Sequence, residues 1–289
     1  MNLEHIRTFL EIASCGNFNR AAETLNVTQS TVSARIKSLE ETFGRPLFTR
    51  SHAGAQLTAA GHHFHEYAIA MQQLWQQAHQ TVTLHPNYQA VLGLGAQVSL
   101  WERLILDWIP WMREQAPEVA LRVEADYSSS LMQQLRNGLL DIGVMYQPRQ
   151  TPGLTIEKLL EEQLVLVSTH KRDVSKGWVK DYVYVDWGDV YRVEHAKAFP
   201  EMEMAAVSVG LGALGLQYIL KNGGSGYFPV RVIQPLIDAG ELFRLKNAAE
   251  VNRPAYVVYR SSPKDHIVQS MALDGLRRIA SLEGEQKPA

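Results

Sequence analysis

Apolar residues along the first 60 positions recur at helical spacing and are cut by small polar turns. Residues 2–14 carry Leu3, Ile6, Phe9, Leu10 and Ala13 on one face, which predicts a first amphipathic helix that Gly16 stops. Asn17 or Asn19 is placed to cap a short second helix through Leu25. Asn26-Val27-Thr28 then forms a three-residue turn, and Thr28 is a good N-cap for a third helix, Gln29 to Glu40 and on to Phe43. The inner face of that third helix is Val32, Ile36, Leu39 and Phe43, at spacings of four, three and four. At about 100° per residue, Ser30, Ser33, Ala34 and Lys37 fall on or near the opposite face. Two short helices joined by such a turn read as a helix-turn-helix, whose small polar outer face can lie against base edges with Lys37 left for a phosphate.

Gly44-Arg45-Pro46 breaks this pattern. Leu47–Arg50 and Gln56–Thr58 read as short strands around Ser51-His52-Ala53-Gly54-Ala55, a two-stranded wing. Thr58 caps a long helix over about residues 59–83, in which Phe64, Ala68, Met71, Trp75, Ala78 and Val82 alternate spacings of four and three. A solitary helix with that seam leaves Met71 and Trp75 in water, so it calls for a second copy of the chain; packing on the chain's own core is the alternative. His85-Pro86-Asn87 ends the helix.

Beyond residue 88 the pattern alternates between strands and helices. Val91–Gly95, Val119–Ala125 and Asp141–Met145 read as strands. The helices Leu100–Glu114 (which Pro110 should kink or split) and Ser128–Asn137 lie between them. That order predicts a parallel sheet with crossover helices. A second set starts at Leu164–Ser168. It continues through Tyr182–Asp186, Met204–Val209, the helix Gly210–Lys221, and strands at Gly226–Pro229, Glu241–Leu245 and Ala255–Tyr259. Ile267–Leu282 is a C-terminal helix followed by a polar tail, Glu283–Ala289, that should fray.

Composition adds limits. The 289 residues allow two domains, and 46% hydrophobic residues supply an ordinary core. The formal net charge of −2 argues against non-specific nucleic-acid coating but leaves room for a reader with a few placed cations. Cys15 is the only cysteine, so no disulfide can form within the chain. The first residues lack the apolar core of a signal peptide, and no apolar run approaches a membrane span, so a cytoplasmic protein with no membrane contact is expected.

Phe9, Ala21-Ala22, Leu25, Gln29-Ser30, Val32-Ser33, Leu39-Glu40, Gly44, Leu47-Phe48, Arg50, Leu57-Thr58 and Ala60-Gly61 resemble the N-terminal pattern of LysR-type transcriptional regulators. Asn137–Gly143 is also close to a recurrent string of that family. The resemblance implies three parts: a winged helix-turn-helix, all-α apart from its wing, over 1–58; a dimerising linker helix over 59–88; and an α/β effector-binding domain over 89–289. The last would have a two-lobed periplasmic-binding-protein-like architecture, with lobe I at about 89–162 and 263–289 and lobe II at about 163–262. The chain would cross between lobes near Glu162-Gln163 and Ser261-Ser262. Thr28, Gln29, Ser30, Ser33 and Lys37 would meet the major groove of double-stranded DNA, while Arg35 and the wing's Arg50 would hold phosphates. The resemblance further implies a homodimer through 64–82, a tetramer, a small-molecule effector and, as a further partner, RNA polymerase.

Ligands of open parallel sheets bind beyond the carboxyl ends of strands. Gln97 and Ser99 follow the first strand of the α/β part, Ser128 to Ser130 the second and Tyr146 the third, and Trp187 holds the matching place in the second lobe. Their side chains and the neighbouring helix ends suit an anion or a polar ligand, unless the serines act only as caps and the aromatics only as packing. No Gly-x-Ser-x-Gly elbow or Walker loop is present, and Gly93-Leu94-Gly95 lacks the third glycine of a dinucleotide fingerprint, so neither an enzyme nor a cofactor is expected. His62, His63 and His65, with His52, lack a cysteine or acidic partner for a metal, and Cys15 reads as small apolar filler. A transport-type binding protein and an enzyme on the two-lobe fold are the rival readings, and the helix-turn-helix favours neither.

Overall fold

A computed structural model describes residues 2–51, 54–83, 85, 87–174, 179–202 and 204–285. The chain divides into two compact units, Met1–His85 and Pro86–Ala289.

In the first unit, α1 (Leu3–Cys15) starts on the Asn2 side chain, which accepts from the His5 N–H, and ends at Gly16 with φ 67°. The Asn17 side chain caps α2 (Phe18–Thr24), and Thr28 caps α3 (Gln29–Phe43) by accepting from the Thr31 N–H at 3.2 Å. Between the two helices Asn26 sits at φ 52°, the left-handed conformation that Asn tolerates best among non-glycine residues. Phe9, Ile12, Ala21, Val32, Ile36 and Leu39 are fully buried where the three helices meet. Phe43 differs from expectation: it is 44% exposed and lies at the edge of the core, its ring 4.9 Å from Phe64. The wing is the antiparallel pair β1 (Phe48–Ser51) and β2 (Gly54–Leu57), with Phe48 opposite Leu57 and Arg50 opposite Ala55. His52 and Ala53 at its tip lie outside the described residues. The Glu40 carboxylate accepts the N–H groups of Leu47 and Phe48, tying the wing to α3.

Thr58 accepts from the Gly61 N–H and opens α4 (Ala59–Val82). Gly61 allows the helix to touch the wing, because a Cβ there would stand 2.2 Å from the Leu47 carbonyl oxygen. The seam expected along α4 divides in two. Phe64 and Ala68 join the core of the first unit, whereas Met71, Trp75 and Val82 are exposed at 38%, 55% and 85%.

The second unit begins with β3 (Ala90–Ala96), α5 (Leu106–Gln115), β4 (Val119–Ala125), α6 (Ser128–Arg136) and β5 (Ile142–Met145), and β3 pairs in parallel with both β4 and β5. A 3-10 turn (Val98–Leu100) and a π turn (Trp101–Ile105) precede α5. Pro110 stays inside α5 and does not split it, so the irregularity lies one turn upstream. The strand expected to begin at Leu164 starts ten residues earlier: β6 runs Leu154–Ser168 and pairs antiparallel with β11 (Val251–Arg260). Both strands cross between the lobes without interruption, with Glu162 opposite Arg253. The second crossing is therefore near Asn252-Arg253, ahead of the expected Ser261-Ser262.

Lobe II adds β7 (Val183–Val185), α7 (Asp189–Ala198), β8 (Val207–Val209), α8 (Gly212–Asn222), β9 (Ser225–Pro229), α9 (Val230–Asp238) and β10 (Phe243–Arg244). The larger sheet has the order β10-β6-β11-β5-β3-β4, with β9 on β6, so it is mixed and not all-parallel; β7 and β8 form a separate parallel pair. Each lobe has its own core, one around Trp108, Leu94 and Val257, the other around Tyr191, Phe228 and Ile219. The C-terminal α10 (His266–Glu285) packs on lobe I, where its Ala272 carbonyl accepts from the Trp108 indole at 3.0 Å; residues 286–289 of the expected tail lie outside the described residues.

Candidate functional site

Chemistry-bearing residues gather in two places, one in each unit. In the first, burying Val32, Ile36 and Leu39 turns the other face of α3 outward. Thr28, Gln29, Ser30 and Lys37 are exposed, and Ser33 is half-buried. The Thr28 hydroxyl lies 2.8 Å from those of Ser30 and Thr31, and the Gln29 amide donates to the Ser33 hydroxyl at 3.2 Å. These contacts fix a small polar surface in advance of any partner. Lys37 is 77% exposed, with its ammonium 3.8 Å from Glu41. Arg35, expected at a phosphate, instead turns back to α1. Its guanidinium donates to the buried Thr8 hydroxyl at 3.2 Å and lies 3.3 Å from the Glu4 carboxylate. The backbone of Arg50 is in β1, but its side chain lies outside the described residues.

In the second unit a cavity of about 1030 Å³ opens between the lobes, and Gln97, Ser99, Ser128, Tyr146 and Trp187 all line it. Four of the five form one hydrogen-bonded group. The Gln97 carbonyl oxygen accepts from the Ser128 hydroxyl at 2.7 Å and from the Tyr146 N–H at 2.8 Å, and Ser99 donates to the Tyr146 hydroxyl at 3.2 Å. Trp187 faces them from lobe II, its indole N–H donating to the Tyr227 carbonyl at 2.8 Å. Gly212 lies under that indole, and a Cβ there would meet the ring at 2.1 Å.

Sequence reasoning missed the charged group at the cavity floor. Glu162 is buried on β6 and receives the guanidiniums of Arg253 from β11 and Arg231 from α9. The Tyr146 hydroxyl donates to the same carboxylate at 2.8 Å. The Arg253 guanidinium lies 3.5 Å from the centre of the Tyr146 ring and 5.0 Å from that of Trp187, and it donates to the Trp187 carbonyl. Arg231 also reaches the carbonyls of Ser99 and Glu102 in lobe I. Burial opposes ionisation of Glu162, but the two guanidiniums outweigh it and hold its carboxyl below the ordinary value. Burial, then the Glu162 charge, pushes the Tyr146 hydroxyl well above its ordinary range, so it stays protonated as a donor. One sequence signal was available. Val251, Arg253, Ala255 and Val257 occupy the buried alternate positions of β11, which places the arginine on the inward face.

No group of three or more metal-ligating side chains occurs among the described residues, and no described helix is long and apolar enough to cross a membrane. Cys15 is partly buried, with its thiol donating to the Asn17 carbonyl at 3.2 Å.

Residues 3–62 match the bacterial regulatory helix-turn-helix protein, lysR family, and residues 87–271 match the LysR substrate binding domain. The chain belongs to the LysR family. It is a DNA-binding transcriptional regulator with an effector-binding domain, a non-enzymatic role. The HTH-type transcriptional regulator HdfR of Salmonella schwarzengrund is 29% identical over 263 residues, covering 90% of this chain and 92% of that protein. Full-length CbnR complexed with its target DNA shares the fold at a TM-score of 0.70 and 18% identity, over 97% of this LysR chain and 100% of the other. LysG from Corynebacterium glutamicum, solved with arginine as bound effector, aligns at a TM-score of 0.54 and 20% identity, over 97% of this chain and 98% of that one.

Proposed function

We propose that this LysR regulator is a cytoplasmic protein that reads a two-fold operator as a dimer, and that a small molecule in the cleft between the lobes controls it. The observation that carries the DNA reading is the division of α3 and its cap into a fully buried face and an outer face of Thr28, Gln29, Ser30, Ser33 and Lys37, all exposed but the half-buried Ser33. The first four would contact base edges in the major groove, while Lys37 and the wing's Arg50 hold phosphates and set the register. Arg35 acts from behind, fixing α3 against α1. Pairing through Met71, Trp75 and Val82 of α4 presents two recognition helices to two half-sites. A tetramer doubles that arrangement, and RNA polymerase is the partner through which operator occupancy reaches transcription.

The effector reading rests on the cavity and on five polar and aromatic side chains that line it from both lobes. A ligand touching both lobes changes the regulator's state only through its differential affinity for two lobe arrangements.

Fluorescence anisotropy on the duplex upstream of the chain's own gene, with a scrambled duplex as control and a salt series, tests the DNA reading. A preference of about 10³-fold or more for the upstream duplex is expected. Ser33→Arg is expected to lose that preference while the dimer stays intact, because a long side chain there holds α3 off the groove. Normal operator binding by this variant would reject the docking of α3.

A further inference from the structure

The two lobes are joined by more than the strands that run between them, because lobe II sends a side chain back to lobe I. Arg231 stands in the first turn of α9, whose Ile233, two positions on, is fully buried in the lobe II core. Its Nε donates to Glu162 at 2.7 Å, its Nη1 to the Glu102 carbonyl and its Nη2 to the Ser99 carbonyl. Those two carbonyls lie on either side of the point where the 3-10 turn passes into the π turn ahead of α5. Single π turns are rare and often mark functional places in a helix. The contacts close into a ring. The Ser99 hydroxyl donates to the Tyr146 hydroxyl at 3.2 Å, and Tyr146 donates to Glu162 at 2.8 Å. Glu162 accepts from Arg231, which donates to the Ser99 carbonyl and completes the circuit. Glu162 lies on β6 opposite Arg253 of β11, so the ring is anchored where both strands cross between the lobes.

Charge balance singles Arg231 out. Arg253 pairs with Glu162 and also donates to the Trp187 carbonyl, so one guanidinium already neutralises the carboxylate. Arg231 is a second cation on the same carboxylate, with its side chain 9% exposed. Burying that cation is unfavourable, and the lobe I carbonyls offset it through charge-assisted hydrogen bonds. Those bonds exist only while α9 and the π turn stay together. We propose that Arg231 is a latch between the lobes. On the Ser99 and Glu102 carbonyls it holds one lobe arrangement, and its release lets β6 and β11 bend into a second, more open one. The latch rests on the cleft reading above and deepens it by naming the contact that holds one of its two arrangements. Ser99 couples cleft and latch, because it lines the cavity while its carbonyl holds Arg231.

The test measures the distance between two spin labels in the full-length protein without added ligand. The labels enter through Arg136→Cys in lobe I and Val190→Cys in lobe II, both exposed at the lining of the cleft. The background is Cys15→Ser, and labelled chains are diluted with unlabelled ones. Arg231→Gln leaves Glu162 paired with Arg253 and strands no charge. Arg231→Lys keeps a cation for Glu162 but lacks the planar fork that reaches two carbonyls at once, so it carries the test should Arg231→Gln not fold. The parent is expected to show one main distance. Each variant is expected to raise a longer-distance population at least about 10-fold, the effect of removing charged hydrogen bonds from one arrangement only. A residue that only braced the fold would lower the melting temperature and leave the distance alone. A parent-like or shorter distance in a folded variant therefore overturns the latch and leaves the cleft reading standing. Operator affinity is read by fluorescence anisotropy on the same variants. A longer distance with altered operator affinity supports the latch and the cleft reading together. A longer distance with unchanged operator affinity supports the latch and overturns control of DNA binding through the lobes.

Discussion

Lys37 stands in solvent with its ammonium 3.8 Å from Glu41, whereas Arg35, two positions earlier, is 20% exposed and held by Thr8 and Glu4. A phosphate-bound cation releases counterions, and a positioning cation does not. Lys37→Ala is expected to weaken DNA binding and to reduce the slope of log affinity against log salt by about 1. Arg35→Ala is expected to weaken binding with the slope unchanged, and Glu4→Gln should shift it in the same direction. A reduced slope in Arg35→Ala would return that residue to the phosphates. In the cleft, Glu162→Ala strands two buried guanidiniums, and urea unfolding is expected to show a loss of about 3–5 kcal/mol. The cleft residues legible in the sequence were those at the ends of strands: Gln97, Ser99, Ser128, Tyr146 and Trp187. Glu162, Arg231 and Arg253 come from three distant segments, and only the pairing of β6 with β11 and the packing of α9 bring their charges together.

Among the elements, α4 carries the sharpest expectation. Phe64 and Ala68 belong to the core of the first unit, leaving Met71, Trp75 and Val82 exposed for the proposed dimer. Trp75→Glu is expected to weaken the dimer by about 30-fold or more, the size of a hot-spot loss. Sedimentation equilibrium measures it, and an unchanged dimer would move the interface off this seam. The helices and wing of the first unit were legible because each carries its own cap, turn and apolar face, as with Asn17 on α2, Thr28 on α3 and Thr58 on α4. In lobe II that local signal fades. α7 buries only Tyr191 and His195 and exposes Val190 and Val193, so its apolar period is short, and α9 contains Pro235, which reads as a break. The early start of β6 was hidden because Leu154–Glu161 is half-exposed and charged, and it becomes a strand only through pairing with β11. Tertiary contacts override local preference at these places.

At the scale of the whole molecule, the shifted groups of the second unit act in the same direction on the acid side. His195 is buried among the rings of Tyr182, Tyr184, Tyr191, Phe199 and Tyr227, with its Nε2 2.9 Å from the Tyr182 hydroxyl. Burial lowers its pKa from the ordinary 6.5. The unfolded chain therefore binds that proton first, and the stability His195 contributes is present above pH 6.5 and lost as pH falls toward its folded value. Glu157, held down by hydrogen bonds from Arg277, and Asp186, held down by those from Arg192, are lowered from 4.5 and 3.8, as is the buried Glu162, and their stability is lost at still lower pH. Burial raises Tyr182, Tyr191 and Tyr227 above 10.0, so their contribution is lost only on the alkaline side of that value. The melting temperature of the second unit is thus expected to be flat between pH 6.5 and 10.0 and to fall in two acid stages, the first set by His195. His195→Gln keeps an acceptor for Tyr182 and removes the titration. The melting of this unit in the variant, followed by near-ultraviolet circular dichroism from pH 8 down to about pH 2 (a range of about 6 units), should stay level through the first stage and fall only through the second. The same two-stage fall in His195→Gln would show that the aromatic cage of lobe II does not set the acid limit of this regulator.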